Sequence, residues 1–332
     1  MNFLFKYRAL LGLAMLFAVV FTGCERKPAG SSTGNTGNDG GGKKTVAFSQ
    51  MENNGPWRIA ETKSMNDEAA KRSDKYQFVV SDAQGQTAKQ VSDVEDLVAR
   101  GVNAIFLAPR EFEGLAPALQ AAKQAKIPVF LIDREAAGKV GEDYVTFIGS
   151  NFIQQGERVG EWLAKETNGK AGIVELQGTA GSSVANDRAK GFRNVIEKYP
   201  DMKILASQPA NFTRAEGQKV MENLIQAHGK NITAVYTHND EMALGAIQAL
   251  KAAGMNPGED VKVVSIDGQK SALEAIIAGD LNITVESNPR FGPIAFDTYE
   301  RFLRGEQLPP KIILEDKFYD AGNAAQFVNE AY

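Results

Sequence analysis

From residue 45 onward the chain repeats one event: a short apolar run stops at polar side chains, and a segment with helically spaced apolar positions begins. The stretch 235–250 shows it plainly. Val235-Tyr236-Thr237 is a β-run, Asn239 or Asp240 caps the helix after it, and Met242, Leu244, Ile247 and Leu250 form an apolar stripe. The runs 45–49, 77–81, 104–108, 129–132 and 145–148 read as strands, with amphipathic helices over 57–72, 87–100 and 115–126 among them. A second series follows at 172–176, 204–207, 232–236, 261–266 and 282–285. Strand–helix–strand at this spacing means right-handed βαβ units and parallel sheets. Ten strands in two groups of five predict an α/β chain with two doubly wound parallel-sheet lobes rather than one closed barrel.

The residues just beyond the strand ends carry the chemistry. Asn53 to Arg58 follow the first run, Asp133-Arg134 the fourth, and Asn186-Asp187-Arg188 lie early in the segment after Gly178. Asn239, Asp267-Gly268 and Glu286-Ser287 follow later runs. Open α/β sheets bind ligands at the carboxyl ends of their strands, so two such edges facing each other predict a cleft with a hinge. The candidates are Arg58, Arg134 and Arg188 against Asp133, Asp267 and Glu286, with Asn239 and the Trp57 indole. Three positive and three negative groups sum to zero, which suits a neutral, hydroxyl-rich ligand: carboxylates accept from hydroxyls, guanidinium and amide groups donate to them. Trp57 or Phe212 could lie against the apolar face of a sugar. Taken singly, Trp57 reads as core, and Asp133-Arg134 and Asp267-Gly268 read equally well as caps or turns. Their joint occurrence points to a site. His238 reads as a packed strand-end residue and His228 as a surface group.

The N-terminus changes the address. Lys6 and Arg8 precede an almost wholly apolar run from Leu10 to Phe21, then Thr22-Gly23-Cys24. A short positive region, an apolar core and small residues before a cut form an export signal over 1–23, shorter than the ~20 apolar residues a spanning helix needs. Residues 24–43 are dominated by Gly, Ser, Thr and Asn and read as a flexible tether of roughly 25 Å root-mean-square span. Cys24 is the single cysteine of the 332-residue chain, so no disulfide framework is possible. At 43% hydrophobic and 23% charged the composition is ordinary for a globular protein, and the net charge of −4 with no basic block argues against nucleic acid.

Catalysis finds little support. Two histidines and one cysteine, with no HExxH or CxxC spacing, leave a metal without ligands. Phe48 to Glu52 stand where a dinucleotide fold places its glycines. The carboxylates have Arg neighbours, which hold a carboxyl low and unsuited to act as a general acid. The expectation is therefore no enzyme, no cofactor and no metal.

Four stretches, Leu131 to Arg134, Asp187 to Phe192, His238 to Gly245 and Ile266 to Gly268, resemble the type I periplasmic sugar-binding proteins of ABC transporters, over about 45–314. Trp57-Arg58, Val174 to Thr179, Phe212-Thr213-Arg214 and Val285-Glu286 narrow the likeness to the galactofuranose-binding branch of that family. Cys24 similarly resembles a lipobox cysteine. The resemblance implies lobes of 44–149 plus about 289–315 and 150–288 plus about 316–332, joined by a three-strand hinge. It implies ligand contacts at Asp133, Arg134, Arg188, Asn239 and Asp267, with Trp57, Arg58 and Phe212 lining the pocket and either Glu286 or Ser287 facing inward. It also implies a monomeric, lipid-anchored extracytoplasmic protein that closes on a neutral monosaccharide such as galactofuranose and delivers it to an ABC permease. The alternatives are another sugar or sugar-like signal delivered to a sensor, or an extracytoplasmic carbohydrate-active enzyme.

Overall fold

The structure, a computed structural model, describes residues 42–332; the expected export signal and nearly all of the tether, Cys24 included, lie outside the described residues. In the first lobe β1 (Lys44–Gln50), α1 (Gly55–Lys71), β2 (Tyr76–Asp82), α2 (Thr87–Ala99), β3 (Ala104–Leu107), α3 (Ala116–Gln124), β4 (Val129–Ile132) and β5 (Thr146–Ser150) alternate. The strands read as unbroken apolar runs because both faces of the sheet are covered. Alternate side chains go to opposite faces. Ala47, Ile105, Leu107, Leu131 and Phe147 pack with Val94, Leu97, Leu119 and Ala122 of α2 and α3. Val46, Phe48, Phe106, Phe130, Ile132 and Ile148 pack on the other side with Met65 of α1 and Ala295, Phe296 and Tyr299.

Those last three residues come from α9 (Gly292–Leu303), far along the chain. Phe106 meets Phe130, Phe296 and Tyr299 at ring-centroid distances of 5.7, 5.3 and 6.4 Å, so the late helix seals the first lobe. Each such ring taken from water contributes roughly 1.5–3 kcal/mol.

The second lobe contains α4 (Phe152–Glu166), β6 (Lys170–Gln177), α5 (Ser183–Ile196), β7 (Asp201–Pro209), α6 (Arg214–His228), β8 (Ala234–Thr237), α7 (Asp240–Ala252), β9 (Lys262–Asp267), α8 (Lys270–Ala278) and β10 (Ile283–Glu286). The two faces divide in the same way. Val174, Leu176, Val235 and Val263 meet α6, α7 and α8, while Ile173, Tyr236, Val264 and Ile266 meet α4 and α5.

Each sheet has six strands, one more than the pattern predicted. The additions are β11 (Lys311–Leu314), parallel to β5, and β12 (Phe318–Asp320), antiparallel to β10, with α10 (Ala324–Phe327) after them. The orders are β11-β5-β4-β3-β1-β2 and β12-β10-β9-β8-β6-β7. Both additions are short edge strands covered on one side only, too brief and too mixed in polarity to stand out as apolar runs. β7 is longer than the expected 204–207 because its flanking residues, largely exposed, carry no apolar signal. Between β5 and α4, between β10 and α9, and between β11 and β12 the chain passes from one lobe to the other.

α4 and α5 approach very closely. A Cβ on Gly191 would lie 2.0 Å from the Ile153 carbonyl oxygen, and one on Gly156 2.3 Å from that of Arg188. The small residues thus fix how far Arg188, on α5, stands from the hinge end of α4.

Candidate functional site: a charged cavity between the lobes

The carboxyl ends of both sheets meet around a cavity of about 220 Å³, whose lining includes Trp57, Arg58, Asp133 and Arg134 from the first lobe and Arg188, Phe212, Asn239 and Asp267 from the second. All of these except Trp57 and Phe212 are at least nine-tenths buried. The lobes touch beside it: the Phe112 N–H donates to the Gly181 carbonyl (3.0 Å) and the Glu135 N–H to Ser183 Oγ (2.9 Å).

Pro56 in the first turn of α1 sets the helix start, with Trp57 and Arg58 directly behind it. The Trp57 indole donates to the Ser287 carbonyl (2.7 Å), and its ring carries the Arg58 guanidinium 4.5 Å from the centroid. Arg58 then forks. Nη2 donates to Asp133 Oδ2 (2.7 Å) and Nη1 to Glu61 Oε2 (2.8 Å), one turn along the helix. Glu61 is fully buried; its Oε2 also accepts from Gln50 (2.8 Å), while Oε1 has no partner. Burial lifts the Glu61 carboxyl to about 7, in spite of Arg58.

Asp133 sits at φ 61° in a tight turn in which the Arg134 N–H donates back to the Ile132 carbonyl (2.6 Å). Arg134 donates through Nη1 to the Arg110 carbonyl (2.9 Å) and lies 5.4 Å from the Phe212 ring centroid across the cleft. Its Nε is buried without a hydrogen bond, 3.7 Å from Asp133 Oδ2. Burial and the neighbouring Arg58 charge bring Arg134 down to about 9. Phe212 (φ 62°) and Asp267 (φ 135°) also hold left-handed backbone. Three of the seven non-glycine residues with positive φ among those described therefore line this cavity, the concentration of strain expected at a binding site.

In the second lobe Arg188 uses all three nitrogens. Nε donates to Gln155 Oε1 (2.9 Å), Nη1 to the His238 carbonyl (2.5 Å) and Nη2 to Asp267 Oδ1 (3.2 Å). Gln155 in turn donates to the Glu286 carbonyl (3.2 Å) and to Asp316 Oδ2 (2.8 Å), and Ser150 Oγ donates to Asp316 Oδ1 (2.8 Å). One guanidinium is thereby connected to all three interlobe crossings. Asn239 caps α7, accepting from the Met242 N–H (3.0 Å), and its amide donates to the Phe212 carbonyl (3.1 Å).

His238 is more than a packed strand-end residue. Its Nδ1 accepts from the Gly178 N–H (3.3 Å), which leaves Nε2–H for Glu175 (3.0 Å). Burial alone would raise the Glu175 carboxyl, but hydrogen bonds from His238, Arg193 and Ser207 outweigh it and bring it down to about 2. This pair steadies the His238 backbone that Arg188 reads.

Glu286 is a correction. Its carboxylate turns away to the edge strand, accepting from the Lys317 N–H (3.0 Å) and the Tyr319 hydroxyl (3.2 Å), and Ser287 stands on the cavity wall instead. The charge sum that counted Glu286 does not describe this cavity. Glu52, Asn54, Thr213, Arg214, Glu241 and Gln269 also line the cavity, and none of them was expected as a ligand contact. Arg214 and Glu241 form a two-pronged ion pair at the less buried end (2.7 and 3.1 Å), to which Gln269 adds its amide (2.9 Å). The adjacency of Thr213 and Arg214 to Phe212, and of Glu241 to Asn239, was the available signal. Among the described residues no group of three or more His, Cys, Asp or Glu is placed to hold a metal, and no helix is long and apolar enough to cross a membrane.

Two lobes that enclose a polar cavity define a hinged binding protein, and residues 46–307 match the family described as periplasmic binding protein domain, to which the chain belongs. It is a binding protein, not an enzyme. Over 273 residues the chain is 44% identical to the galactofuranose-binding protein YtfQ of Escherichia coli (strain K12), covering 81% of this chain and 85% of that one. The crystal structure of a galactofuranose-binding protein superposes with a TM-score of 0.84 at 41% identity, covering 87% of this chain and 98% of that one. The periplasmic binding protein of the arabinose ABC transporter from Shewanella sp. ANA-3, bound to α- and β-L-arabinofuranose, gives 0.83 at 40% identity, with 86% and 95% covered.

Since Glu175 is held below the usual carboxylate range, it contributes stability above about pH 4.5 that is lost as pH falls toward 2. Glu175→Gln should therefore cost about 3 kcal/mol in urea unfolding at pH 7, with the deficit shrinking below pH 4.5. A deficit that does not change with pH contradicts this role.

Proposed function

We propose that the chain is the extracytoplasmic sugar-binding component of an ABC importer and that its ligand is a neutral monosaccharide in its furanose form, with galactofuranose the best fit. The observation that carries this reading is the arrangement of Arg58–Asp133 and Arg188–Asp267, one pair from each lobe, on a single cavity. Each pair offers donors and acceptors side by side, as hydroxyls require. Arg134, which spends only Nη1 on a protein hydrogen bond and stands on the cavity wall, supplies further guanidinium donors for a ligand oxygen.

The furanose assignment rests on Trp57-Arg58. One flat ring beside one guanidinium gives a narrow apolar face with a polar edge directly next to it. Galactofuranose and L-arabinofuranose, the sugars of the relatives above, favour the same ring form. A ligand touching both lobes stabilises the closed state through contacts the open state lacks, and that shape is what a permease would recognise.

We further infer that Cys24 is lipidated and that residues 24–43 hold the folded body near the membrane, from the pattern of the first 24 residues. Cells expressing the full chain should incorporate labelled palmitate into it, and Cys24→Ala should abolish the label. Equal labelling of both proteins rules the anchor out.

In calorimetric competition, D-galactose, whose solutions contain the furanose ring, should bind more tightly than D-ribose. Methyl β-D-galactopyranoside, locked in the six-membered ring, should not compete. Arg188→Met should weaken D-galactose about tenfold to a hundredfold, the magnitude of a charged hydrogen bond. Tighter binding of ribose would remove the galactofuranose assignment, and tight binding of the pyranoside would remove the furanose assignment as a whole.

A further inference from the structure

We propose that Glu61 is a specificity-determining residue that supplies the third negative charge of the cavity's buried end, orients Arg58, and so admits an uncharged sugar while rejecting a sugar acid. The inference rests on the sugar-binding reading above and adds to it a reason for selectivity.

The buried end of the cavity holds three guanidinium groups, Arg58, Arg134 and Arg188, against two carboxylates on the wall, Asp133 and Asp267. Glu286 points elsewhere. At the mouth Arg214 and Glu241 cancel each other, and Glu52 is partly exposed, where solvent screens it. Without a further carboxylate the enclosed end would carry one uncompensated positive charge, which would draw in an anionic ligand.

Glu61 is that carboxylate. It lies behind Arg58 rather than on the cavity wall, with no exposed surface, and its Oε2 is 2.8 Å from Arg58 Nη1. A guanidinium held by Glu61 on one prong and Asp133 on the other has its plane fixed. A buried glutamate whose second oxygen has no partner is costly to a fold, and its place one turn from a ligand-facing arginine gives it a use.

The charged groups facing Glu61 are Arg58 on its own helix and Asp133 and Arg134 on the turn after β4, with Glu52 beyond Arg134; Gln50 of β1 and Thr62 are its uncharged neighbours. Burial lifts the Glu61 carboxyl to about 7, so it loses its charge as pH falls through neutrality. Selectivity for the neutral ligand should be full above that pH and decline below it.

The test compares D-galactose with D-galacturonate, its carboxylate counterpart, by calorimetry at pH 8 and pH 6. The proteins are wild type, Glu61→Gln, the double variant Arg58→Gln with Glu61→Gln, and Glu95→Gln, which removes an exposed carboxylate of α2. The wild-type preference for galactose should fall about tenfold or more in Glu61→Gln at pH 8. It should return in the double variant, whose cavity is balanced again even though binding is weaker overall, and stay unchanged in Glu95→Gln. Between pH 8 and pH 6 the wild-type preference should drop by more than that of Glu61→Gln, because Asp267, whose carboxyl burial also lifts, is common to both proteins.

If Glu61→Gln weakens both ligands by one common factor, or the double variant does not recover the preference, Glu61 is only structural and the inference fails alone. Should Glu61→Gln not fold, the double variant still decides: its preference should change less between pH 8 and pH 6 than that of the wild type, and an equal change in the two overturns the role of Glu61. A wild type that binds galacturonate but no galactose at either pH overturns the neutral-sugar reading itself and this inference with it.

Discussion

Three guanidinium groups are enclosed in one small space, and the rest of the site is shaped by the need to compensate them. An unpaired buried charge costs several kcal/mol, so each arginine must find carboxylates or carbonyls within hydrogen-bond reach. Arg188 finds Asp267, the His238 carbonyl and Gln155; Arg58 finds Asp133 and Glu61; Arg134 finds one carbonyl, an aromatic face and a longer ion pair to the Asp133 that Arg58 already holds. The pairing is nearly complete in two of them and incomplete in the third. That is how a site can be both stable and receptive: most donors are spent on fixing the others, and those left over face the ligand.

The fold supplies these partners from distant parts of the chain. Parallel strands deliver Asp133, Asn239 and Asp267 to facing sheet edges, and the glycine contacts between α4 and α5 bring Arg188 within reach of Gln155. Through Gln155 and Asp316 the same guanidinium touches all three passages between the lobes. A ligand that displaced or tightened Arg188 would therefore be felt at the hinge as well as at the cavity wall. Asp240, bonded to Ser265, Thr284 and the Gln269 N–H, holds the loop that carries Asp267 from beneath. Little of this second layer touches the cavity, yet the geometry of the first depends on it.

Much of the fold was legible as a pattern, because strands buried on both faces leave unbroken apolar runs and the helices between them keep their period. β11 and β12 were not, since an edge strand of three or four residues with one covered face resembles a loop. At the site, residues directly after a strand end, such as Asp133, Asn239 and Asp267, were readable from position alone. Glu286 misled because neighbouring residues of a strand point to opposite sides, and its inward neighbour proved to be Ser287. Glu61 was given no place in the site because a glutamate on a helix ordinarily faces solvent; its three-residue spacing from Arg58 becomes meaningful only once Asp133 is seen on the other prong of the same guanidinium.

The central claim is that two opposed lobes shut over an uncharged sugar held between paired guanidinium and carboxylate groups. Small-angle X-ray scattering of the folded chain, with and without saturating D-galactose, tests it most directly. The account predicts a smaller radius of gyration with the sugar and no change with the same concentration of galacturonate. A radius that stays constant while calorimetry shows the sugar bound would contradict it.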